Sequence, residues 1–349
     1  MGGNKERNER WFMSPFVDSQ VAISARIRFA RNFEDYPFPM KITGEDARKM
    51  AKETADAVLG SGFALDEGFR FFDISNNPIE TLLPLMERHV LSSQLAQKQG
   101  VKGLLLNSKE NLSIMLNEED HIRIQSIYPG DNIDNAYESA EIMEAMIEER
   151  GCRYAYDHEY GYLTSCPTNT GTGLRASLML HLPALEASKF ISKLVPALGK
   201  FGMTVRGIHG EGSESLGAVY QLSNQITLGK SEQEILQQLK SSAAHVISQE
   251  NNAREKLLTE NGLKYRDRLY RSYGILKHCR SLDIKEGMDL LSDVRIGFLS
   301  RIYEMDRPDR TIYGLMMDIQ PGNLAAQAGK TLTSEELNVY RADFIREAL

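Results

Sequence analysis

The sequence predicts an α/β (α+β) protein, in which strands and helices are mixed over the first 250 residues and helices fill the remainder. Three observations support this fold class. The segment Val21–Arg28 alternates strictly between the two sides of a strand. Amphipathic helical patterns occupy residues 44–59 and 80–98. From about residue 250 onward nearly every pattern is helical, and 349 residues are enough for one large and one smaller domain.

The first strand presents two arginines on one side. In Val21–Arg28 the odd-numbered residues are all apolar, whereas Arg26 and Arg28 belong to the even-numbered set. Residues two apart on a strand lie roughly 7 Å apart on the same face. The strand therefore has one side for a core and one side with two neighbouring positive charges.

The middle of the chain continues to mix strands and helices. We expect strands at Leu112–Leu116, His121–Ile127, Gly161–Cys166 and Arg175–Leu182, and helices at Glu138–Arg150 and 184–200. The polar cluster Asn117–Asp120 separates the first two strands, and a loop at Pro167–Gly173 separates the last two. Residues 207–215 are rich in Gly and Ser and predict a mobile loop.

The sequence lacks the usual phosphate-binding loop. Gly229–Ser231 resembles the end of G-x-x-x-x-G-K-[ST], but the motif needs a glycine where Asn224 stands. Ser231 is better explained as the start of a helix, in a capping box with Glu234. The protein-kinase strings H-R-D and D-F-G are absent as well. Any nucleotide must therefore be held by groups other than a glycine loop.

Composition argues against several classes of protein. With 41 Lys and Arg against 48 Asp and Glu, the net charge of -7 disfavours a nucleic-acid-binding surface. Cys152, Cys166 and Cys279 form no C-x-x-C pair, so we expect neither disulfides nor zinc, and a cytoplasmic location. We also expect no secretion signal in Met1–Arg7 and no membrane span, since no run approaches 18 apolar residues.

Four segments carry the residue types of a catalytic site. They are Ser24–Arg28, Asn117–Arg123, Cys166–Ser177 and Arg206–Glu211. The strings N-E-E-D-H and C-P-T-N-x-G-T-G-L-R within them are long enough that chance explains them poorly. In the same order, these segments resemble the hallmark segments of the phosphagen kinases, the family of creatine and arginine kinases. The resemblance covers residues 16–250 and implies a phosphagen-kinase catalytic domain with an eight-stranded antiparallel sheet flanked by helices.

The resemblance implies that ATP is bound with Mg²⁺, which the nucleotide phosphates mainly hold, so that no protein metal site is expected. An arginine cluster can hold a triphosphate by bidentate, charge-assisted hydrogen bonds without a glycine loop. By resemblance, the nucleotide-binding candidates are Ser24, Ala25, Arg26, Ile27, Arg28, His89, Arg123, Arg175, Ala176, Ser177, Leu178, Met179, Arg206, Gly207, Ile208, His209, Gly210 and Glu211. A histidine on a helix surface would look the same as His89, so both interpretations of His89 stay open.

Three residues are candidates for the acceptor chemistry. A guanidinium has a pKa above about 12 and is a poor nucleophile while protonated, so its site needs carboxylates that align it and accept a proton. Glu119 resembles the family's catalytic glutamate, and Glu211 resembles the second carboxylate, which arginine kinases have and creatine kinases lack. Cys166 resembles the reactive cysteine, which as a thiolate can orient a guanidinium. Together they favour an arginine group as acceptor.

The most specific resemblance is to the bacterial McsB-type protein arginine kinases. Only 23 residues precede Ser24, whereas phosphagen kinases have a helical domain there, and about 100 residues follow the catalytic part. The resemblance implies a small all-helical domain at residues 251–349 that mediates homodimerisation and phosphoarginine sensing. It also implies a role in heat-shock control. The expected partners are CtsR-type repressors and misfolded proteins as substrates, a ClpC-type protease and a McsA-type activator, with no direct nucleic acid and no membrane.

The sensing motif of this family, R-D-x-x-R-A, is incomplete here. Residues 337–342 read Leu-Asn-Val-Tyr-Arg-Ala, so Arg341 and Ala342 match while the leading Arg-Asp pair is replaced. The sensing function of Arg341 and Ala342 is therefore an expectation that the sequence supports only in part.

Two other functions are compatible with parts of this pattern. A small-molecule guanidino kinase that makes a phosphagen would share the same four segments. A catalytically silent adaptor could use the fold to bind arginine-rich proteins, although the presence of Glu119, Cys166 and Glu211 argues against it.

We predict that Glu119→Gln lowers the rate of phosphoryl transfer by at least about a hundredfold, the usual scale for a general base. The substitution keeps the shape of the side chain and removes the charge that aligns and deprotonates the acceptor. ATP affinity, measured by calorimetry, should be nearly unchanged. Wild-type turnover in this variant would remove Glu119 from the mechanism.

Overall fold

The computed structural model describes residues 10–209, 215–303 and 310–349. The strands are β1 (Ala22–Arg31), β2 (Arg70–Asp73), β3 (Gly103–Leu106), β4 (Leu112–Leu116), β5 (Ile122–Pro129), β6 (Tyr156–Asp157), β7 (Gly161–Tyr162), β8 (Leu174–His181), β9 (Met203–His209) and β10 (Ser215–Asn224). Two short 3₁₀ turns, Trp11–Met13 and Pro15–Asp18, precede β1.

Helices flank the sheet and form the C-terminal part of the chain. They are α1 (Gly44–Leu59), α2 (Gly62–Glu67), α3 (Ile79–Glu87), α4 (Ser93–Gln97), α5 (Ile133–Glu149), α6 (Pro183–Ala187), α7 (Ile191–Gly199), α8 (Glu232–Glu260), α9 (Gly262–His278), α10 (Ile284–Leu299), α11 (Ile312–Asp318), α12 (Pro321–Ala328) and α13 (Ser334–Ala348).

Eight strands form one sheet in the order β2-β3-β4-β5-β1-β8-β10-β9, and β6 and β7 form a separate hairpin. Every neighbouring pair is antiparallel. The expected fold, a mixed α/β domain with an eight-stranded antiparallel sheet followed by a helical part, is confirmed. The expected boundary near residue 250 falls within the continuous helix α8.

Several local predictions differ from the structure. Four strands of the sheet, β2, β3, β9 and β10, are additional to the predicted ones. Strands β2 and β3 are only four residues long, and β9 and β10 border a Gly/Ser-rich segment. Within the predicted loop 207–215, residues 207–209 belong to β9 and Ser215 to β10, while residues 210–214 lie outside the described residues. The helix predicted at 80–98 is divided into α3 and α4 by a turn in which His89 has a φ of 62°. Only residues 161–162 of the predicted strand 161–166 are extended in a ladder.

One face of the sheet packs on helices α5 and α8. Ile23, which strict alternation predicts on this face, belongs instead to the cluster on the opposite face, next to a shift in the register of β1 with β8 between Ala22 and Ser24. Ile27 and Phe29 of β1 point into the core as predicted, together with Ile124 and Leu178 of the neighbouring strands. All four side chains are at most 1% exposed. Burial of these side chains determines which face of each strand remains available for a binding site. A shift of the register by one residue would move every side chain to the other face of the sheet.

The opposite face is shared between the sheet and the C-terminal helices. Ile127 and Met179 of the sheet form one apolar cluster with Met288 of α10 and Tyr313 of α11, and Trp11 and Phe12 complete it. The N-terminal 3₁₀ turns therefore lie between the sheet and the helical part. Residues 10–20 connect the two regions as part of a common core.

A buried ion pair links the same elements. Arg295 of α10 is inaccessible to solvent, and its Nε donates to Asp18 Oδ1 at 3.2 Å while its Nη2 donates to the carbonyl of Gln20 at 2.7 Å. Asp18 also accepts hydrogen bonds from the backbone amides of Ile312 and Tyr313 at the start of α11. A single carboxylate therefore neutralises a buried cation and caps a helix.

His181 of β8 completes this network as a neutral acceptor. Burial, and then the positive charge of Arg295, hold the pKa of His181 well below its ordinary value. In the neutral ring Nδ1 accepts from Arg295 Nη1 at 2.9 Å, so Nε2 carries the hydrogen and donates to Ser292 Oγ at 2.7 Å. The sheet is thus joined to α10 by polar contacts as well as by apolar packing.

We predict that Asp18→Ala lowers the free energy of unfolding by about 3–5 kcal/mol, because it leaves Arg295 buried without a counter-charge. Denaturant titration measures the change. Asp134→Ala is the matched control, since Asp134 is 77% exposed in its pair with Lys240 and should cost less than about 1 kcal/mol. Equal losses in the two variants would contradict a structural role for the buried pair.

Candidate active site

Strand register brings the predicted arginines onto one face of the sheet. Arg28 of β1 lies opposite Gln125 of β5 on one side and Arg175 of β8 on the other. Directly opposed residues point to the same face, and so do residues two apart. Arg26, two residues before Arg28, and Arg123, two residues before Gln125, therefore share the face of Arg175.

Arg206 joins this face through the next two strands. Ser177, two residues after Arg175, lies opposite Ser223 of β10, and Gln221 of β10 lies opposite Arg206 of β9. Arg26 Nη2 donates to Gln221 Oε1 at 2.7 Å. All five arginines predicted from separate segments thus belong to one surface, which we call the arginine face (Arg26, Arg28, Arg123, Arg175 and Arg206).

The arginine face concentrates positive charge in a poorly solvated place. Burial, and then repulsion from Arg175, lower the pKa of Arg26 to about 10. Burial likewise lowers the pKa of Arg28 well below its ordinary value, and the charges of Arg26 and Arg123 add to the shift. Burial and then Arg206 also lower the pKa of Arg175.

Two groups on the arginine face have no protein partner among the described residues. The Nε atoms of Arg28 and Arg175 are buried and make no hydrogen bond there. Buried donors are normally paired, and clustered cations repel one another. Both costs are relieved by a bound polyanion, so the residues present fit the phosphates of a nucleotide.

The turn between β4 and β5 presents Glu119. The buried Glu118 accepts hydrogen bonds from Arg123 Nη1 at 2.7 Å and from Ser92 Oγ. Glu119 is half-buried, and its Oε2 lies 3.5 Å from Arg123 Nη2. The two adjacent glutamates therefore differ, since Glu118 is buried and holds Arg123 whereas Glu119 is only half-buried.

The residues after Glu119 are tied down on the other side of the turn. Asp120 Oδ1 accepts from Asn32 Nδ2 and from the backbone amide of Ser165, each at 2.7 Å. His121 Nδ1 accepts from the amide of Phe33 at 3.0 Å, so its Nε2 donates to a backbone carbonyl at 2.9 Å. This bonding prevents the turn from relaxing when the charge on Glu119 changes.

The loop that carries Cys166 reaches the same point. Cys166 Sγ lies 3.0 Å from Thr168 Oγ1, and Asn169 Nδ2 donates to Glu119 Oε2 at 3.4 Å. The amide of Asn169 donates to the carbonyl of Cys166 at 2.9 Å. Asn169 therefore links the cysteine loop to the catalytic candidate Glu119. This contact of Asn169 was not predicted from the sequence.

Gly171 allows this loop to approach β10 closely. Its φ is 109°, and a Cβ at this position would lie 2.4 Å from the carbonyl oxygen of Thr227. Thr227 Oγ1 donates to the carbonyls of Thr168 and Thr170 at 3.0 and 2.7 Å. A side chain at Gly171 would push the loop, and Cys166 with it, away from its place.

A cleft of about 530 Å³ opens from the arginine face. Its lining includes the cations Arg26 and Arg28, the carboxylate of Glu87, and the apolar side chains of Leu83, Met86, Ile208, Leu216, Ile284 and Pro321. His89 also borders the cleft, and its carbonyl accepts from Gln125 Nε2 at 2.9 Å. The cleft thus offers cations for phosphates and apolar surface for a base.

The C-terminal helices supply one wall of this cleft. Ile284 begins α10, and Gln320 and Pro321 begin α12. The carboxylate of Glu87, at the end of α3, accepts from the amides of Gly322 and Asn323 at 2.7 Å each. This contact holds the start of α12 beside the His89 turn.

The remaining nucleotide-binding candidates fall into two groups. Ser24, Ser177 and Met179 lie on the side of the arginine face, and Ile208 lines the cleft. The side chains of Ala25, Ile27, Ala176 and Leu178 are buried in the core on the opposite face. These four side chains are thus shielded by the sheet from the cleft.

The last predicted nucleotide-binding residues lie at the end of β9 and beyond it. Gly207 pairs with Tyr220 within β9 and β10, and His209 ends β9. Gly210 and the second predicted carboxylate, Glu211, lie outside the described residues.

The predicted phosphoarginine-sensing residues are buried within the C-terminal helices. Arg341 Nε donates to the carbonyl of Ile319 at 3.0 Å, and its Nη1 donates to the carbonyl of Leu282 and to Asn338 Oδ1 at 2.8 Å each. Arg341 is 2% exposed, and Ala342 is inaccessible. The guanidinium of Arg341 is therefore engaged by the protein itself, with Asn338 among its acceptors.

Comparison with known proteins agrees with this geometry. The family model described as ATP:guanido phosphotransferase, C-terminal catalytic domain, matches residues 49–253, and the model of the protein-arginine kinase McsB C-terminal domain matches residues 262–349. The protein-arginine kinase of Bacillus velezensis is 43% identical over 340 residues, which is 97% of this chain and 93% of that protein. The chain belongs to the protein-arginine kinase family. The relative from Caldanaerobacter subterraneus is 42% identical over 95% of this chain and 98% of its own length.

Solved structures of related kinases share the fold of this family member. A lombricine kinase superposes with a TM-score of 0.58 at 26% identity, over 67% of this chain and 68% of that one. A duplicated taurocyamine kinase from Schistosoma mansoni, with bound transition state analog components, gives a TM-score of 0.59 at 21% identity, over 86% and 42% of the two chains. The second likeness concerns the fold alone.

We predict that Arg175→Ala weakens ATP binding about tenfold or more and slows phosphoryl transfer, because a charge-assisted hydrogen bond contributes about 1.5–3 kcal/mol. Calorimetry measures the affinity, and a coupled assay measures turnover. Arg153→Ala is the control, since Arg153 is 66% exposed and pairs only with surface acids. Unchanged ATP affinity in Arg175→Ala would exclude phosphate binding by the arginine face.

Proposed function

We propose that this chain transfers the γ-phosphoryl group of ATP to the guanidinium of arginine side chains in proteins. The observation that carries this proposal is that the arginine face leads directly to Glu119. Arg123 Nη2 and Asn169 Nδ2 both approach Glu119 Oε2, at 3.5 and 3.4 Å. The proposed phosphate site on the arginine face and the proposed guanidinium site at Glu119 are therefore adjacent. In-line transfer of a phosphoryl group from ATP to arginine requires this arrangement.

The arginine face binds the phosphates and lowers the cost of charge on the group in transfer. Arg123, held by Glu118, is the arginine nearest to the acceptor and contacts the group that moves. Mg²⁺, when bound, neutralises phosphate charge, and we expect the phosphates to hold it because Mg²⁺ keeps oxygen ligands and waters. No group of three or more His, Cys, Asp or Glu side chains is placed for metal binding in residues 10–209, 215–303 and 310–349.

Glu119 aligns the acceptor and takes its proton. The guanidinium fork donates to the carboxylate, a nitrogen attacks the γ-phosphorus, the bond from phosphorus to the bridging oxygen of ADP breaks, and the proton lost from the nitrogen passes to Glu119. We assign Cys166 the role of orienting the fork from its resemblance to the reactive cysteine, and its loop reaches Glu119 through Asn169. We assign Glu211 the role of a second carboxylate from its resemblance to arginine kinases.

Protein arginine is the acceptor that the relatives support. The relatives named protein-arginine kinase match over nearly their whole length, and the McsB C-terminal domain model covers residues 262–349. A guanidinium attached to a protein gains binding energy from contacts outside the pocket, whereas a free amino acid gains little and must still be ordered. A small-molecule guanidino kinase is the less supported alternative.

We further propose a cellular role in protein quality control. The chain acts in the cytoplasm on CtsR-type repressors and misfolded proteins, delivers marked proteins to a ClpC-type protease and responds to a McsA-type activator. Its helical part forms a homodimer and gives allosteric control, which agrees with the exposed Leu263 and Tyr270 on α9. In the part of the chain that the structure describes, no helix has the length and apolar character needed to cross a bilayer.

We predict that a basic, arginine-rich protein is phosphorylated on arginine while free arginine at millimolar concentration gives negligible phosphoarginine. Mass spectrometry under conditions that preserve acid-labile P–N bonds measures both products. The Glu119→Gln variant is the control for phosphate that arrives without catalysis. Comparable turnover of free and protein arginine would favour the small-molecule kinase.

A further inference from the structure

Trp11 is the only tryptophan of the chain, and it lies where three regions meet. Its ring contacts Phe12 edge-on at 5.6 Å and Tyr313 of α11 at 6.0 Å. Its backbone amide donates to the carbonyl of Lys109 at 3.2 Å, and the residue is 4% exposed. Trp11 is therefore fixed between the sheet and the C-terminal helices.

The indole N–H of Trp11 is buried and has no hydrogen-bond partner among the described residues. Trp11 borders a small cavity of about 10 Å³, which is also lined by Ser24, Arg26, His89, Ile127, Ser177, Met179 and Gln221. A cavity of roughly 10–15 Å³ holds one water molecule, provided that two to four polar groups line it. The cavity is too small for a nucleotide group and has enough polar neighbours for a water.

We propose that this cavity is a binding site for one ordered water molecule, and that Trp11 acts through this water as a positioning residue for Arg26. The inference rests on the proposed function, because it assigns Arg26 to nucleotide binding. The water accepts from the indole N–H and from the Arg26 guanidinium, and it donates to the hydroxyls of Ser24 and Ser177. Four polar groups then satisfy the four hydrogen bonds that a water can make.

Arg26 needs such support because only one of its donors has a side-chain partner in the hydrogen bonds described. Its Nη2 donates to Gln221 Oε1 at 2.7 Å, and Ser177 Oγ donates to the backbone carbonyl of Arg26 at 3.4 Å. The hydroxyl oxygen of Ser177 keeps its acceptor capacity for the water. A second fixed partner restricts the guanidinium to the rotamer that faces the cleft, where phosphate binding then costs less ordering.

The test replaces Trp11 by 3-benzothienylalanine, in which sulfur takes the place of the indole N–H while the ring size is kept. Because Trp11 is the only tryptophan, global replacement of tryptophan during expression changes this site alone. The expected result is a roughly threefold to tenfold weaker ATP affinity in calorimetry, the scale of one hydrogen bond. The thermal unfolding midpoint should stay within about 2 °C, since packing is preserved.

A second variant checks that the effect passes through the water. Ser177→Ala removes an acceptor from the same cavity, so the two changes together should weaken ATP binding no more than the larger change alone. Additive losses would show that Trp11 and Ser177 act separately and would overturn the proposal.

The other outcomes are equally distinct. If the ATP affinity of the substituted protein stays within twofold of that of the unmodified protein, the proposed role of the indole N–H is wrong. If the affinity falls together with a large fall in the unfolding midpoint, Trp11 has a structural role and the proposal is also wrong. Failure of the unmodified protein to bind ATP would instead overturn the proposed function, and this inference with it.

Discussion

The antiparallel register of β1 with β5 and β8 is the constraint on which the rest of the site depends. It sets Arg28 directly opposite Arg175 and two residues from Arg26, and it sets Arg123 on the same face. The register is enforced from the other side of the sheet, where Ile27 and Phe29 are buried against α5 and α8. Hydrophobic burial on one face thus determines the charge pattern on the other, because a strand cannot turn one face without the other.

The cost of gathering these cations is offset elsewhere in the protein. Glu118 neutralises Arg123 beside the turn between β4 and β5, and Gln221 orients Arg26. Among the described residues, the buried Nε atoms of Arg28 and Arg175 have no hydrogen-bond partner, so an anion would stabilise the arginine face. Holding such a site in its binding geometry costs free energy of folding. Here the apolar cores on the two sides of the sheet offset that cost.

The C-terminal helices are part of the site as well as a separate region of sequence. Ile284 and Pro321 line the cleft beside the arginine face, and Glu87 caps the start of α12 next to His89. Asp18 and Arg295 fix these helices to the N-terminal turns and to β8. A movement of α10 or α12 would therefore change the cleft directly, which gives the helical part a physical route to influence catalysis.

The sequence by itself determined the family and the fold class of the protein. The strings N-E-E-D-H and C-P-T-N-x-G-T-G-L-R indicated the family, because local spacing and residue type are properties of the chain alone. The catalytic roles of Glu119 and Cys166 stay predictions. Strands β2 and β3 escaped prediction because strands of four residues are stabilised by their neighbours more than by their own pattern. Strands β9 and β10 are longer, and they escaped prediction because they border a Gly/Ser-rich segment.

Only the tertiary structure decided which candidates meet. The side chains of Ala25 and Leu178 carry the motif letters of nucleotide-binding segments but point into the core. Asn169 stands in a motif string without a predicted role, and Trp11 belongs to no motif. Asn169 nevertheless contacts Glu119, and Trp11 borders the same cavity as Arg26. These relations are absent from the sequence because they depend on distances between strands and helices far apart in the chain, which are set by register and by packing across the two cores.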